Sequence, residues 1–192
     1  MLLTLPQDEF LSGLAELIKT AIIGDRELFD LIDNSYDLIM KRDVSAMTHF
    51  VNRSVTFKAA VVTEDEFENG LRRILNFGHT LGHAIELQSG VKHGFAVAAG
   101  MEFAAMFSFA NGYLTFSEKD AITGILRKFG LLGDYDIPAE QVKKLILHDK
   151  KKSGNDINFV FVEGIGKAAT RKVTIDEITD YYKKFKDIKS GI

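Results

Sequence analysis

The chain has 192 residues, 46% hydrophobic and 27% charged with only two prolines, a composition that suits one large globular domain and excludes a disordered or collagen-like chain. Its net charge is −3 with both signs interspersed, so it lacks the overall basic field of a nucleic-acid binder. Cysteine is absent, which excludes disulfides, thiolate metal sites and a Cys nucleophile and leaves His, Asp and Glu as the metal ligands on offer.

Met1 to Pro6 runs into the acidic Gln7-Asp8-Glu9 without a signal-peptide pattern, and it reads as the middle of a strand or turn, as in a piece of a longer protein. The longest apolar runs fall far short of the roughly 20 residues that span a bilayer. The expectation is a cytoplasmic protein with no membrane and no nucleic-acid partner.

Most of the chain reads as helix. Over Gln7 to Thr20, Phe10, Leu14, Leu17 and Ile18 recur with helical spacing, with Ser12-Gly13 read as the start of the main helix. Asp25 to Met40 carries a similar stripe, and Ser45 to Val62 reads as a long helix capped by Ser45. Phe67 to Gln88 is interrupted by Gly70 and holds Gly78 and Gly82. Phe95 to Ala110 is rich in Ala, Gly, Met and Phe, a composition for close packing in an interior. Ser117 is placed to cap Glu118 to Phe129, which Gly130 ends. Pro138 precedes a helix over Ala139 to Leu147, and Ile175 to Phe185 closes the array. Between these last two, Ile157 to Val162 and Ala168 to Val173 predict a hairpin around Gly164-Ile165-Gly166. The fold class is mainly α, multihelical with a small β-hairpin, as one domain over residues 1–192. No βαβ alternation and no GxGxxG loop after a strand is present, so the sequence holds no nucleotide-binding fold of its own.

Chemistry concentrates in one segment. Three of the five histidines are His79, His83 and His93. His79 and His83 are four apart and share a helix face, the spacing of helical zinc sites. Thr80 stands where a zinc peptidase carries its general-base Glu, so that reading fails. Two imidazoles packed in a metal-free helical core remain the alternative. Gly78 and Gly82 each weaken a helix interior by about 1 kcal/mol relative to Ala. They point to something approaching the backbone closely, either a ligand or a neighbouring helix. Arg72 lies one turn before Asn76, Lys58 sits in an apolar stretch, and Glu16 and Lys19 are three apart on one helix. A charge inside an apolar stretch usually has a partner or a ligand. A set of His, Glu, Lys and Arg without Cys suits an oxyanion substrate beside a divalent ion.

Four blocks resemble the 3-dehydroquinate synthase family in order: Ser12-Gly13-Leu14-Ala15-Glu16-Leu17-Ile18-Lys19; the run from Glu68 to Ala84 containing Asn76-Phe77-Gly78-His79-Thr80-Leu81-Gly82-His83; His93-Gly94-Phe95-Ala96-Val97-Ala98-Ala99-Gly100-Met101; and Asp149-Lys150-Lys151. The resemblance covers about Leu5 to Val173. It implies the family's helical carboxy-terminal domain, without the amino-terminal domain that binds NAD. It also implies zinc (or cobalt) ligands Glu16, His79 and His93, where spacing alone pairs His79 with His83. His83, Lys19, Lys58, Arg72, Asn76, and Lys150 or Lys151 are then expected to contact substrate. The implied substrate is a sugar-acid phosphate, 3-deoxy-arabino-heptulosonate 7-phosphate, converted to 3-dehydroquinate with loss of phosphate in the shikimate pathway. The full-length enzyme is expected to be a homodimer and this chain inactive alone. The sequence departs from the family at Phe95, a position that is often Glu. Two alternatives are a related sugar-phosphate cyclase of the deoxy-scyllo-inosose or valiolone type, and a non-catalytic domain that docks on a separate nucleotide-binding subunit.

Overall fold

The computed structural model describes residues 2–149 and 156–191, with the side chains of His148 and Asp149 left out of the description. The helices are α1 (Gln7–Gly24), α2 (Arg26–Asn34), α3 (Tyr36–Met40), α4 (Val44–Glu64), α5 (His79–Ser89), α6 (His93–Ala110), α7 (Phe116–Lys128), α8 (Ala139–Asp149) and α9 (Ile175–Ser190). Short 3-10 turns occupy Leu2–Thr4 and Leu71–Asn76. The strands β1 (Asp156–Gly164) and β2 (Lys167–Thr174) form an antiparallel hairpin, with Ile157 opposite Val173 and Phe161 opposite Ala169.

Helices α1 and α6 are the axis of the core. Every residue of α1 from Leu17 to Ile23 is buried, as is every residue of α6 from Ala96 to Ala105. An all-round apolar helix belongs in an interior. By length and composition α6 is the one helix among the described residues that could cross a membrane, but 72% of it is buried inside the fold. Helix α5 packs on α6, α4 and α2 on α1, and α7 and the hairpin on α6. Phe103 and Phe107 of α6 meet Phe159 of β1 and Tyr181 of α9 edge-on, tilted or stacked, with ring centroids 4.6 to 6.3 Å apart. The buried Ser108 hydroxyl accepts from the Val162 amide at 3.1 Å, so the strand bonds to a helix where its partner strand is on the other side.

Several local starts differ from the sequence reading, two of them because a better cap lies upstream. Helix α1 begins at Gln7, the first residue of the expected helical stretch, directly after Pro6 and without a side-chain cap, so Ser12-Gly13 lies inside it. Asp43 caps α4 by accepting from the Ala46 amide at 2.8 Å, ahead of Ser45. Thr115, not Ser117, caps α7 in a reciprocal pair with Glu118. The stripe over Asp25 to Met40 is two helices that break at Ser35. The hairpin, the end of α6 and the start of α9 fall close to their expected places, while α9 runs past Phe185 to Ser190.

Glycine sets how closely the helices approach. Gly78 precedes α5 with φ +79°, where a Cβ would lie 2.7 Å from the Val97 carbonyl oxygen. A Cβ on Gly100 would lie 1.9 Å from the Gly78 carbonyl oxygen. The object near the glycine backbone is therefore α6, and the helix-packing reading of Gly78 and Gly82 is the correct one.

Candidate metal centre

Three elements meet at the start of α5. Phe77 is fully buried and anchors the chain between the 3-10 turn and α5. Gly78 then turns the backbone so that His79 is the first residue of α5. Gly90, with φ +65°, ends α5 and sends the chain back so that His93 is the first residue of α6. Glu16 comes from the middle of α1.

Ligand-type atoms of Glu16, His79 and His93 all lie within 4.8 Å of one another. His93 Nε2 is 3.8 Å from Glu16 Oε1. The other ring nitrogens are tied back: His79 Nδ1 is 3.1 Å from the Phe77 carbonyl, and His93 Nδ1 is 2.9 Å from Glu86 Oε2. These acceptors assign the proton to Nδ1 of both rings and leave both Nε2 lone pairs for a ligand. This donor set, two imidazoles and a carboxylate from three segments, fits a catalytic zinc or cobalt ion.

The surrounding charge supports that fit. Burial, together with the Lys19 ammonium, pulls the His79 imidazole down to about 4, so it is neutral at pH 7. Burial pushes the Glu16 carboxyl up, but Lys19 and Lys58 outweigh it and hold it below its ordinary value. Lys19 is 3% exposed and bonds Glu16 at 2.8 Å, while Lys58 reaches the same carboxylate at 3.6 Å. Burial brings the Lys19 ammonium below its usual range, with Glu16 opposing.

His83 sits beside the trio. Its ring centroid is 5.2 Å from that of His79 and 6.3 Å from that of His93. It lines a pocket of about 200 Å³ with Asn76, His79, Thr80, Glu68, Arg73 and Asn158. The pair that helical spacing selects is thus adjacent, but the residue that completes the close trio with Glu16 and His79 is His93. Of the remaining expected residues, Asn76 donates to Glu68 at 2.6 Å. The Arg72 guanidinium instead donates to the Glu66 carbonyl at 2.7 Å, and the arginine lining the pocket is Arg73. Phe95 is partly buried against the core. Lys150 and Lys151 lie outside the described residues.

Sequence reasoning missed Glu86, Arg73 and Ser12. Glu86 was findable, since it lies seven residues after His79 and so on the same face of α5. A larger crevice of about 360 Å³ opens on the other side of α5, at Leu81 and Ile85, but it contains no histidine.

The chain is similar to proteins of known family. Residues 13–152 match the family described as 3-dehydroquinate synthase C-terminal. The 3-dehydroquinate synthase of Geobacter sp. (strain M21) is 40% identical over 175 residues, which are 89% of this chain and 48% of that protein. That of Thermoanaerobacter sp. (strain X514) is 40% identical over 184 residues, 94% of this chain and 52% of that protein. The chain therefore spans about half the length of the curated relatives it matches. Among solved structures, 2-epi-5-epi-valiolone synthase from Streptomyces hygroscopicus subsp. jinggangensis 5008, with NAD+ and Zn2+ bound, superposes with a TM-score of 0.83 at 25% identity, covering 97% of this chain and 53% of that one. A 2-deoxy-scyllo-inosose synthase complexed with carbaglucose-6-phosphate, NAD+ and Co2+ gives a TM-score of 0.74 at 25% identity, covering 92% of this chain and 52% of that one.

Proposed function

The chain belongs to the 3-dehydroquinate synthase carboxy-terminal family, and we propose that it is the metal- and substrate-binding half of a 3-dehydroquinate synthase. The observation that carries this reading is the convergence of Glu16, His79 and His93 within 4.8 Å, inside the segment that matches the family. Curated relatives near 40% identity carry that activity in their names, while the valiolone and inosose synthases resemble the chain at 25%. This favours dehydroquinate formation over the sister cyclisations.

In this reading Glu16, His79 and His93 hold one zinc or cobalt ion. When bound, the ion supplies a Lewis acid at the substrate hydroxyl that NAD oxidises, so that the neighbouring C–H is acidified and phosphate can leave. The chain's own residues bind and orient. Lys19 and Lys58 place positive charge beside Glu16, and Arg73 and Asn76 line the adjoining pocket with His83. Such donors suit the carboxylate, hydroxyl and phosphate oxygens of 3-deoxy-arabino-heptulosonate 7-phosphate. Arg72, Lys150 and Lys151 are further proposed substrate contacts on the family correspondence alone. His83, within reach of the pocket but outside the ligand trio, is placed to exchange a proton with the substrate.

NAD is assigned to a partner half, since the two-stranded antiparallel sheet among the described residues offers no parallel-strand nucleotide site. The same reading makes the enzyme cytoplasmic and, at full length, homodimeric. The test is a fusion of this chain behind the portion of the Geobacter relative that it does not span. The fusion should release phosphate from the heptulosonate phosphate only with NAD and zinc. Turnover of glucose 6-phosphate instead would assign a sister cyclase, and zinc-loaded fusion without either activity would defeat the reading.

A further inference from the structure

We propose that Glu86 is a positioning residue for the metal centre, fixing the ring of His93 so that its Nε2 faces Glu16. The proposal rests on the metal-binding reading above and adds a residue to it. Its basis is a chain of placements. His79, His83 and Glu86 are at i, i+4 and i+7 on α5, so they share one face. The turn at Gly90 lays the first residue of α6 across the last turns of that face. There Glu86 Oε2 is 2.9 Å from His93 Nδ1, while His93 Nε2 is 3.8 Å from Glu16 Oε1.

A carboxylate only accepts, so the ring nitrogen facing it carries the proton and the other keeps its lone pair. Without that acceptor the ring could rotate about χ1 and χ2 or adopt the other tautomer, and its lone pair would no longer meet the other two ligands. His93 needs this help more than His79. The imidazole of His79 is held by the Phe77 backbone carbonyl, and the residue is partly buried. His93 has 42% of its side chain exposed and sits on the first residue of its helix, with Glu86 as its nearest anchor. Glu86 itself has 38% of its side chain exposed and is not among the buried polar residues. A substitution there should leave the fold intact. Carboxylates in this relation to a ligating histidine typically change metal affinity by about 10- to 100-fold when removed.

The experiment has two readouts on the 192-residue chain. The first is the tautomer of His93 in the metal-free protein, from long-range 15N–1H correlation spectra of the imidazole. The wild type should show His93 with its proton on Nδ1, and Glu86→Ala should move the population to the Nε2-protonated form. The second is zinc affinity by chelator competition. Glu86→Ala should weaken binding about 10- to 100-fold. Glu86→Gln should stay within a few-fold of wild type, because its amide oxygen can still accept from Nδ1. Thermal unfolding of the metal-free variants should match wild type. An unchanged His93 tautomer in Glu86→Ala would overturn the proposal, as would equal losses in the Ala and Gln variants, which would make charge and not position the cause. If the wild type binds no zinc, the metal reading fails, and the tautomer still decides whether Glu86 orients the ring.

Discussion

Ser12 of α1 and Gly94 of α6 are in direct contact: the Gly94 amide donates to Ser12 Oγ at 3.0 Å, and a Cβ on Gly94 would lie 2.1 Å from the Ser12 carbonyl oxygen. The contact is one residue from His93 and one helical turn from Glu16. It therefore sets the distance between two members of the trio. Ser12 and Gly94 are 82 residues apart in the chain, and no local pattern links them.

Gly94→Ala follows directly. The added methyl would meet backbone, which cannot rotate away, so α1 and α6 must separate. Overpacking of this kind costs about 1–3 kcal/mol. Urea unfolding should show that loss. Zinc competition should show affinity reduced at least about tenfold, as the supporting shell around ligands commonly gives. Stability lost with zinc affinity unchanged would mean that the contact does not set the Glu16–His93 spacing.

Asp25 gives a pH prediction away from the metal centre. It caps α2 by accepting from the Leu28 amide at 2.9 Å and pairs with Arg53 at 2.8 Å. Burial raises its carboxyl, but Arg53 and the Leu28 amide outweigh it and hold it below the ordinary value. The folded state thus keeps Asp25 ionised to lower pH than the unfolded state does. Its stabilisation is complete above the unfolded value of about 3.9 and is lost as pH falls through the lower folded value. Asp25→Asn retains a cap acceptor and should shrink the acid-side loss of stability in unfolding curves run from neutral pH down to about pH 2.5. Asp25→Ala should in addition lose about 1 kcal/mol at neutral pH for the missing cap. An acid slope unchanged in the Asn variant would contradict the assignment.

Phe103 tests the core on the far side of α6. It is 1% exposed and touches Phe107, Phe159, Tyr181, Tyr182 and Phe185. Phe103→Ala should cost about 3–5 kcal/mol. A loss below about 1 kcal/mol would show that α9 and the hairpin do not share one core with α6.

The chain alone should not turn over the heptulosonate phosphate in the presence of NAD and zinc. The reason is that the sheet among the described residues is a two-stranded antiparallel hairpin, which offers no parallel-strand nucleotide site. Phosphate release assays should stay at background, and turnover of about 1 per second or more would contradict the division of labour proposed above.

Helical periodicity and the Gly164-Ile165-Gly166 turn made the helical array and its hairpin legible, because both signals are local. Helix starts were less so. Thr115 and Ser117, or Asp43 and Ser45, are equally good caps by residue type, and only the geometry of the incoming chain selects the first of each pair. The candidate metal centre divides the same way. His79 and His83 announce themselves by spacing within one helix. His93 and Glu16 join the trio only because Gly94, lacking a side chain, lets α6 close onto α1 at Ser12, a tertiary fact that periodicity does not carry. Glu86 was visible as the third residue on the His79 face, but its partner stands on the next helix. Gly78 and Gly82 signalled close approach correctly and left open what approached.

The most direct test of the central claim is zinc stoichiometry in three proteins: wild type, His93→Ala and His83→Ala, each loaded with zinc, freed of excess metal and measured by elemental analysis. The account predicts one zinc per chain in the wild type, loss of the metal in His93→Ala, and retention in His83→Ala. Retention in His93→Ala with loss in His83→Ala would mean that the two histidines four apart on α5 hold the ion, and that Glu16, His79 and His93 are not the metal centre.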